Sequence, residues 1–112
     1  GVHPAASDLR MIWLHLATEP PRAFYIAGET EPDTTALALP ALVGVGTLRR
    51  PLGGENANLT VELDNARGQL TETFADPPLL AGATLYRDGS VLLAGSIGDL
   101  SLDSTVRMTL EA

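Results

Sequence analysis

The stretch "LYRDGSVLLAGSIGDL", Leu85 to Leu100, cannot hold one hydrophobic parity along its length, and this restricts the fold more than any other feature. Asp88-Gly89 stands between two apolar runs. It is the kind of pair a two-residue hairpin turn takes, because both central positions adopt positive φ. With that turn Tyr86 faces Val91, Leu85 faces Leu92 and Thr84 faces Leu93. Strand side chains alternate between faces, so Val91, Leu93 and Ile97 share one side, whereas Leu100 and Leu102 fall on the other. A regular strand cannot bury both sets on one face. One residue must be inserted between Ile97 and Leu100, and Gly98 is the natural place for a bulge or sharp bend. Gly95 is expected to mark a close backbone approach or a bend. Asp88, Gly89, Gly95 and Gly98 are therefore read as fold-determining positions and not as a binding loop.

The next turn follows the same logic. Val106, Met108 and Leu110 alternate with Arg107, Thr109 and Glu111. A three-residue loop, Asp103-Ser104-Thr105, sets Leu102 opposite Val106 and Leu100 opposite Met108, whereas a two-residue loop makes the apolar sets miss.

Upstream, "NLTVELDN", Asn58 to Asn65, alternates cleanly as a half-buried strand with one wet face. "RMIWLHLA", Arg10 to Ala17, carries apolar groups on both faces, which suits a strand covered twice or lying at an interface. "RAFYIA", Arg22 to Ala27, is a short strand after Glu19-Pro20-Pro21. The apolar segment from Ala36 to Leu42 contains Pro40, which starts or flanks a strand. Val43 to Arg50 reads as a glycine-weakened strand and Pro51 to Asn56 as a turn. Between Ala66 and Ala75 the period changes, and Leu70 and Phe74 have the spacing of neighbours on a helix face. These elements predict an all-β fold, a small antiparallel β-barrel or sandwich of about six to seven strands with one short helix near residues 66–75. Residues 1–9 read as a flexible N-terminal arm and 10–112 as a single β-barrel domain. The chain begins at Gly1 and not at methionine, as expected of a processed product or a fragment.

Few chemistries fit these residues. Cysteine is absent, which excludes thiolate nucleophiles and Cys-based zinc sites. The two histidines, His3 in the arm and His15 on a strand, lack the spacing of a metal site or triad. Asp64 and Asp76 flank the irregular segment, but solvation and capping explain them better than the catalytic pair of a glycosidase. Gly44-x-Gly46 and Gly53-Gly54 lack the residues that complete a phosphate cradle. Neither a catalytic residue, a cofactor site nor a metal site is assigned. The formal charge is -7, and all seven cations are arginines with only Arg49-Arg50 adjacent. Such a surface cannot neutralise a run of phosphates, so nucleic acid is not an expected partner. No run approaches the ~20 apolar residues that span a bilayer, so no membrane association is expected.

The order of segments resembles the β-barrel domains of bacteriophage tail hub and baseplate proteins, the late control protein D group in particular. The resemblance lies in Leu59, Val61, Leu63 and Asn65, then Pro78, Gly82 and Leu85, then Gly89, Gly95 and Ile97, and covers Leu48 to Ala112. It implies a non-enzymatic structural component at the tail hub, tail tip or baseplate. It also implies other tail or baseplate proteins as partners, a homo-oligomeric ring in the particle, and a location in the virion tail after assembly in the bacterial cytoplasm. Candidate contact residues are Met11 and Trp13 on the first strand, Glu29, Glu31 and Asp33 in the acidic loop, and Phe74. For Trp13 and Phe74 the plainer reading is a place in the core. The alternative is a small β-barrel binding module for saccharide or peptide, with Trp13, Tyr25 and Tyr86 as stacking residues.

Overall fold

The computed structural model describes residues 11–46, 48–49 and 57–112. The arm 1–9 and the turn Pro51 to Asn56 lie outside the described residues. The eight strands are β1 (Ile12–Leu16), β2 (Arg22–Tyr25), β3 (Leu37–Leu39), β4 (Leu42–Val45), β5 (Asn58–Asp64), β6 (Gly82–Arg87), β7 (Ser90–Ser101) and β8 (Thr105–Glu111). They form one open sheet in the order β3-β2-β1-β6-β7-β8-β5-β4. Its two edge strands, β3 and β4, are consecutive in the chain and joined by Pro40 and Ala41 alone. Two residues cannot bridge a flat sheet of this width, because an extended residue spans only about 3.5 Å. The sheet therefore rolls until the end of β3 and the start of β4 come within reach of that link, without pairing with each other, around one core built from Leu14, Leu16, Phe24, Leu42, Leu59, Val61, Leu63, Leu85, Ile97, Val106, Met108 and Leu110.

Three expectations are corrected here. Among the described residues there are eight strands and not six or seven, because the three-residue β3 carries too little pattern to be read. The sheet is mixed and not antiparallel throughout, since β3 runs parallel to β2 with Ala23 opposite Ala38. No α-helix forms at residues 66–75, which are turns. Leu70 and Phe74 do share one buried side there, and the Phe74 amide donates to the Leu70 carbonyl at 3.0 Å. A longer helix is prevented because Gly68 takes φ 71° and the Leu70 amide is claimed by a side chain instead of a backbone carbonyl.

β7 bends twice. Asp88 and Gly89 have φ 54° and 81°, as in the primed turn that matches strand twist. Tyr86 pairs with Val91, but Leu85 pairs with Leu93 and Thr84 with Ala94, so Leu92 is an extra residue. The expected pairing of Leu85 with Leu92 is thus displaced by one, which buries Leu93 and leaves Val91 exposed. The second bulge lies at Gly98, between the Ile97–Leu110 and Asp99–Thr109 pairs. It restores parity, so Ile97 is buried and Leu100 packs against the core. Beyond it Leu100 pairs with Met108 and Ser101 with Arg107, the register of the three-residue loop.

Asn65, at the end of β5, is the single buried polar residue among the described residues. Its Oδ1 accepts from the Leu70 amide at 2.7 Å, and its Nδ2 donates to the Asp103 carbonyl at 2.8 Å and to Thr71 Oγ1 at 3.1 Å. Its backbone amide donates to the Ser104 carbonyl, and its carbonyl accepts from the Gly68 amide. These bonds draw residues 66–81 across one end of the rolled sheet, where Leu70 and Phe74 plug the core. Asn65→Ala leaves the Leu70 amide and the Asp103 carbonyl unpaired, and should lower stability by about 2–3 kcal/mol in urea unfolding.

The glycines of β7 differ in what surrounds them. A Cβ on Gly95 would overlap the backbone carbonyl of Glu111, whereas one on Gly98 meets only the flexible Glu111 side chain. Gly95→Ala is therefore expected to destabilise by about 3 kcal/mol and Gly98→Ala by a small fraction of that. Equal losses in denaturant midpoint would contradict this arrangement.

Candidate functional site

The outer face of β1 and its neighbours carries Trp13, His15, Tyr25 and Tyr86. Trp13 is opposite Tyr25 on one side and Tyr86 on the other. The Trp13 and Tyr86 rings stack at 4.3 Å with 13° between planes, and His15 meets the Trp13 ring edge-on at 6.4 Å. All four side chains are half-buried. Alternation places them there, because Leu14 and Leu16 occupy the inner face. A Trp13/Tyr86 double-mutant cycle should give a coupling of about 1 kcal/mol. Additive losses would mean that the rings share a face without interacting.

Met11 and Glu29 come together. With Gly28 and Thr30 they line a hollow of about 260 Å³ beside the start of β1. Met11 is also fixed to the hairpin tip: its amide donates to Asp88 Oδ1 at 3.1 Å, and the Asp88 amide donates to the Met11 carbonyl at 3.0 Å. Glu29 Oε2 is buried with no hydrogen-bond partner among the described residues. Glu31 and Asp33 are exposed further along the same loop. Phe74 is corrected. It is 1% exposed, its ring centroid lies 6.0 Å from that of Phe24, and it belongs to the core and not to a contact surface. Its apolar face was legible from the spacing with Leu70, but which side that face meets is decided by the plug.

Charged side chains are mostly dispersed. On the outer face of β5 and β8, Arg107 Nε donates to Glu62 Oε2 at 2.7 Å, and this bond holds the guanidinium above its ordinary pKa. Both partners are well exposed, so the pair contributes little to folding. Among the described residues no three His, Asp or Glu side chains converge as a metal site requires.

Two surface features were not anticipated from the sequence. The first is the turn that leads into β6. Leu79 is 51% exposed and Leu80 is 81% exposed. Leu80 also holds φ 68°, a left-handed conformation that costs a residue with a Cβ about 1–2 kcal/mol. Its amide donates to the Ile97 carbonyl at 2.8 Å, and the Ala81 amide closes the turn on Pro78 at 3.1 Å. The second is a groove of about 310 Å³ at the seam between the sheet edges, lined by Leu39, Pro40, Ala41, Leu70, Arg67 and Gln69. The signal for the first was present in "PPLL": a diproline stop followed by two apolar residues where a polar turn is usual. Nothing local signals the second, which exists only because the sheet rolls.

No protein-family model matches the chain, and no curated protein matches it in sequence. Its architecture is similar to that of a chain in the solved structure described as the virion of a native gene transfer agent particle, with a TM-score of 0.69 and 15% identity. The match covers 92% of this chain but 39% of that one, so this chain spans well under half the length of its structural neighbour. At that identity the likeness is one of fold.

Proposed function

We propose that this chain is a non-enzymatic structural component of a phage-like particle, placed in the tail at the hub, tip or baseplate. The observation that carries this reading is the likeness of fold, over 92% of this chain at a TM-score of 0.69, to a chain of a gene transfer agent virion. The segment order that resembles tail hub and baseplate domains supports the finer assignment. In this reading residues 10–112 form one small β-barrel domain, and its partners are other tail proteins together with further copies of itself in a ring. Assembly takes place in the bacterial cytoplasm. The surfaces available for such contacts are the half-buried aromatic face of β1 and the Met11–Glu29 hollow with Glu31 and Asp33 beside it. Peptide mass spectrometry of purified particles from the source cells should find the chain at a fixed ratio to other tail proteins. Deleting its gene should yield particles with incomplete tails. Particles of normal composition and morphology without it would overturn the assignment.

A second reading has a specific observation in its favour. Trp13, Tyr25 and Tyr86 are neighbours on one outer face, as a stacking platform for a saccharide or an extended peptide requires. Titration with bacterial cell-wall oligosaccharides should then shift Trp13 fluorescence saturably, and Trp13→Ala should abolish the heat of binding. An unchanged spectrum at millimolar ligand removes this reading for saccharides.

A further inference from the structure

The strained leucine turn and the seam groove are placed to meet each other. β6 and β7 are the fourth and fifth strands of the eight, so the turn anchored on Ile97 stands half-way round the sheet from the β3–β4 seam. Both features belong to the plugged end, because residues 66–81 supply Leu70, Arg67 and Gln69 to the groove and also end in the turn itself. A protrusion and a recess at one level on opposite sides of a molecule are the requirement for a head-to-tail contact, which closes into a ring when its rotation allows.

The chemistry of the two surfaces agrees. Leu79 and Leu80 project from the turn, with the exposed carboxylate of Asp76 three residues before Leu79. The groove is apolar at Leu39, Pro40, Ala41 and Leu70, and the exposed Arg67 lies on its lining. Leu37, 52% exposed, continues the apolar surface along β3. In a chain of charge -7, an arginine beside an apolar groove is what permits an acid-flanked apolar turn of a like-charged copy to approach. The backbone of Leu80 adds a separate reason. Glycine or asparagine would adopt its φ with less strain and would be better solvated, so a leucine there is unfavourable twice over in the isolated chain. Burial of its side chain offsets both.

We propose that the Leu79–Leu80 turn of one copy seats in the β3–β4 seam groove of the next, with Asp76 meeting Arg67, and that this contact repeated around an axis builds the ring. The inference rests on the tail reading for its setting, but its test does not.

Sedimentation equilibrium of the purified chain over a wide concentration range measures the contact directly. The protein should self-associate reversibly. Leu80→Asn should weaken association at least tenfold while leaving Tm unchanged or raised, because it removes the apolar group and relieves the backbone. A lowered Tm would deny the strain. Arg67→Glu and Asp76→Arg should each weaken association, and the double variant Arg67→Glu/Asp76→Arg should regain it, since every contact then again pairs opposite charges whatever the ring order. A chain that remains monomeric throughout, or a Leu80→Asn variant that associates as tightly as the parent, overturns the contact. Either result leaves the tail assignment standing, because that assignment is decided by particle composition. Conversely, loss of the tail assignment would leave a measured knob-and-groove contact intact.

Discussion

The side chain of Asn65 holds the architecture at its most exposed point. A carboxamide taken out of water is unfavourable unless its donors and acceptors are met, and here three partners meet them. Those partners come from two places distant in sequence, the start of the plug and the β7–β8 loop. Satisfying Asn65 therefore fixes where residues 66–81 cross the end of the sheet. Leu70 and Phe74 then close the core, and the same segment emerges on the far side as the Leu79–Leu80 turn. One buried amide thus positions both the plug and the surface features at its ends.

Curvature is the second constraint. β7 pairs with β6 along its first half and with β8 along its second, and it carries a bulge in each, at Leu92 and Gly98. A bulge bends its strand and increases local twist, which lets one twelve-residue strand serve two differently directed neighbours. The close approach of the Glu111 backbone over Gly95 lies between the two. Rolling brings the edges β3 and β4 together at Pro40 and Ala41. The seam between them becomes the apolar groove.

The functional reading follows from what remains after folding has satisfied the core. The inner alternation of β1, β5, β7 and β8 is absorbed by packing, and Arg107 and Glu62 engage each other on the wet face. What folding leaves unsatisfied is an aromatic strip on the outside of β1, a leucine in a left-handed conformation and a recess opposite it. A structural component of a particle needs such leftover surfaces more than it needs a catalytic group. The likeness to a gene transfer agent virion chain, at 15% identity, is one of fold.

Much of the sheet was legible locally. The turn at Asp88-Gly89, the bend at Gly98 and the β7–β8 register follow from parity, because polar residues bound each apolar set and leave one burial pattern open. The Leu92 bulge was not legible, since "VLL" is apolar at every position and parity cannot choose among them. The helix expected near residues 66–75 failed for a related reason. The i, i+4 spacing of Leu70 and Phe74 reported which side is buried, while Asn65 and Gly68 decided the backbone. β3 escaped notice because three residues in parallel pairing carry no period. By itself, then, the sequence determined the all-β class, the hairpins, the inner and outer faces and the absence of any thiol chemistry, all of them properties of residues near one another in the chain. The tertiary structure alone decided the rolling of the sheet, the plug over its end, the stacking of the Trp13 and Tyr86 rings and the groove at the seam. Each of those joins segments far apart in sequence, and such contacts form only once burial has overcome the entropy of bringing the segments together.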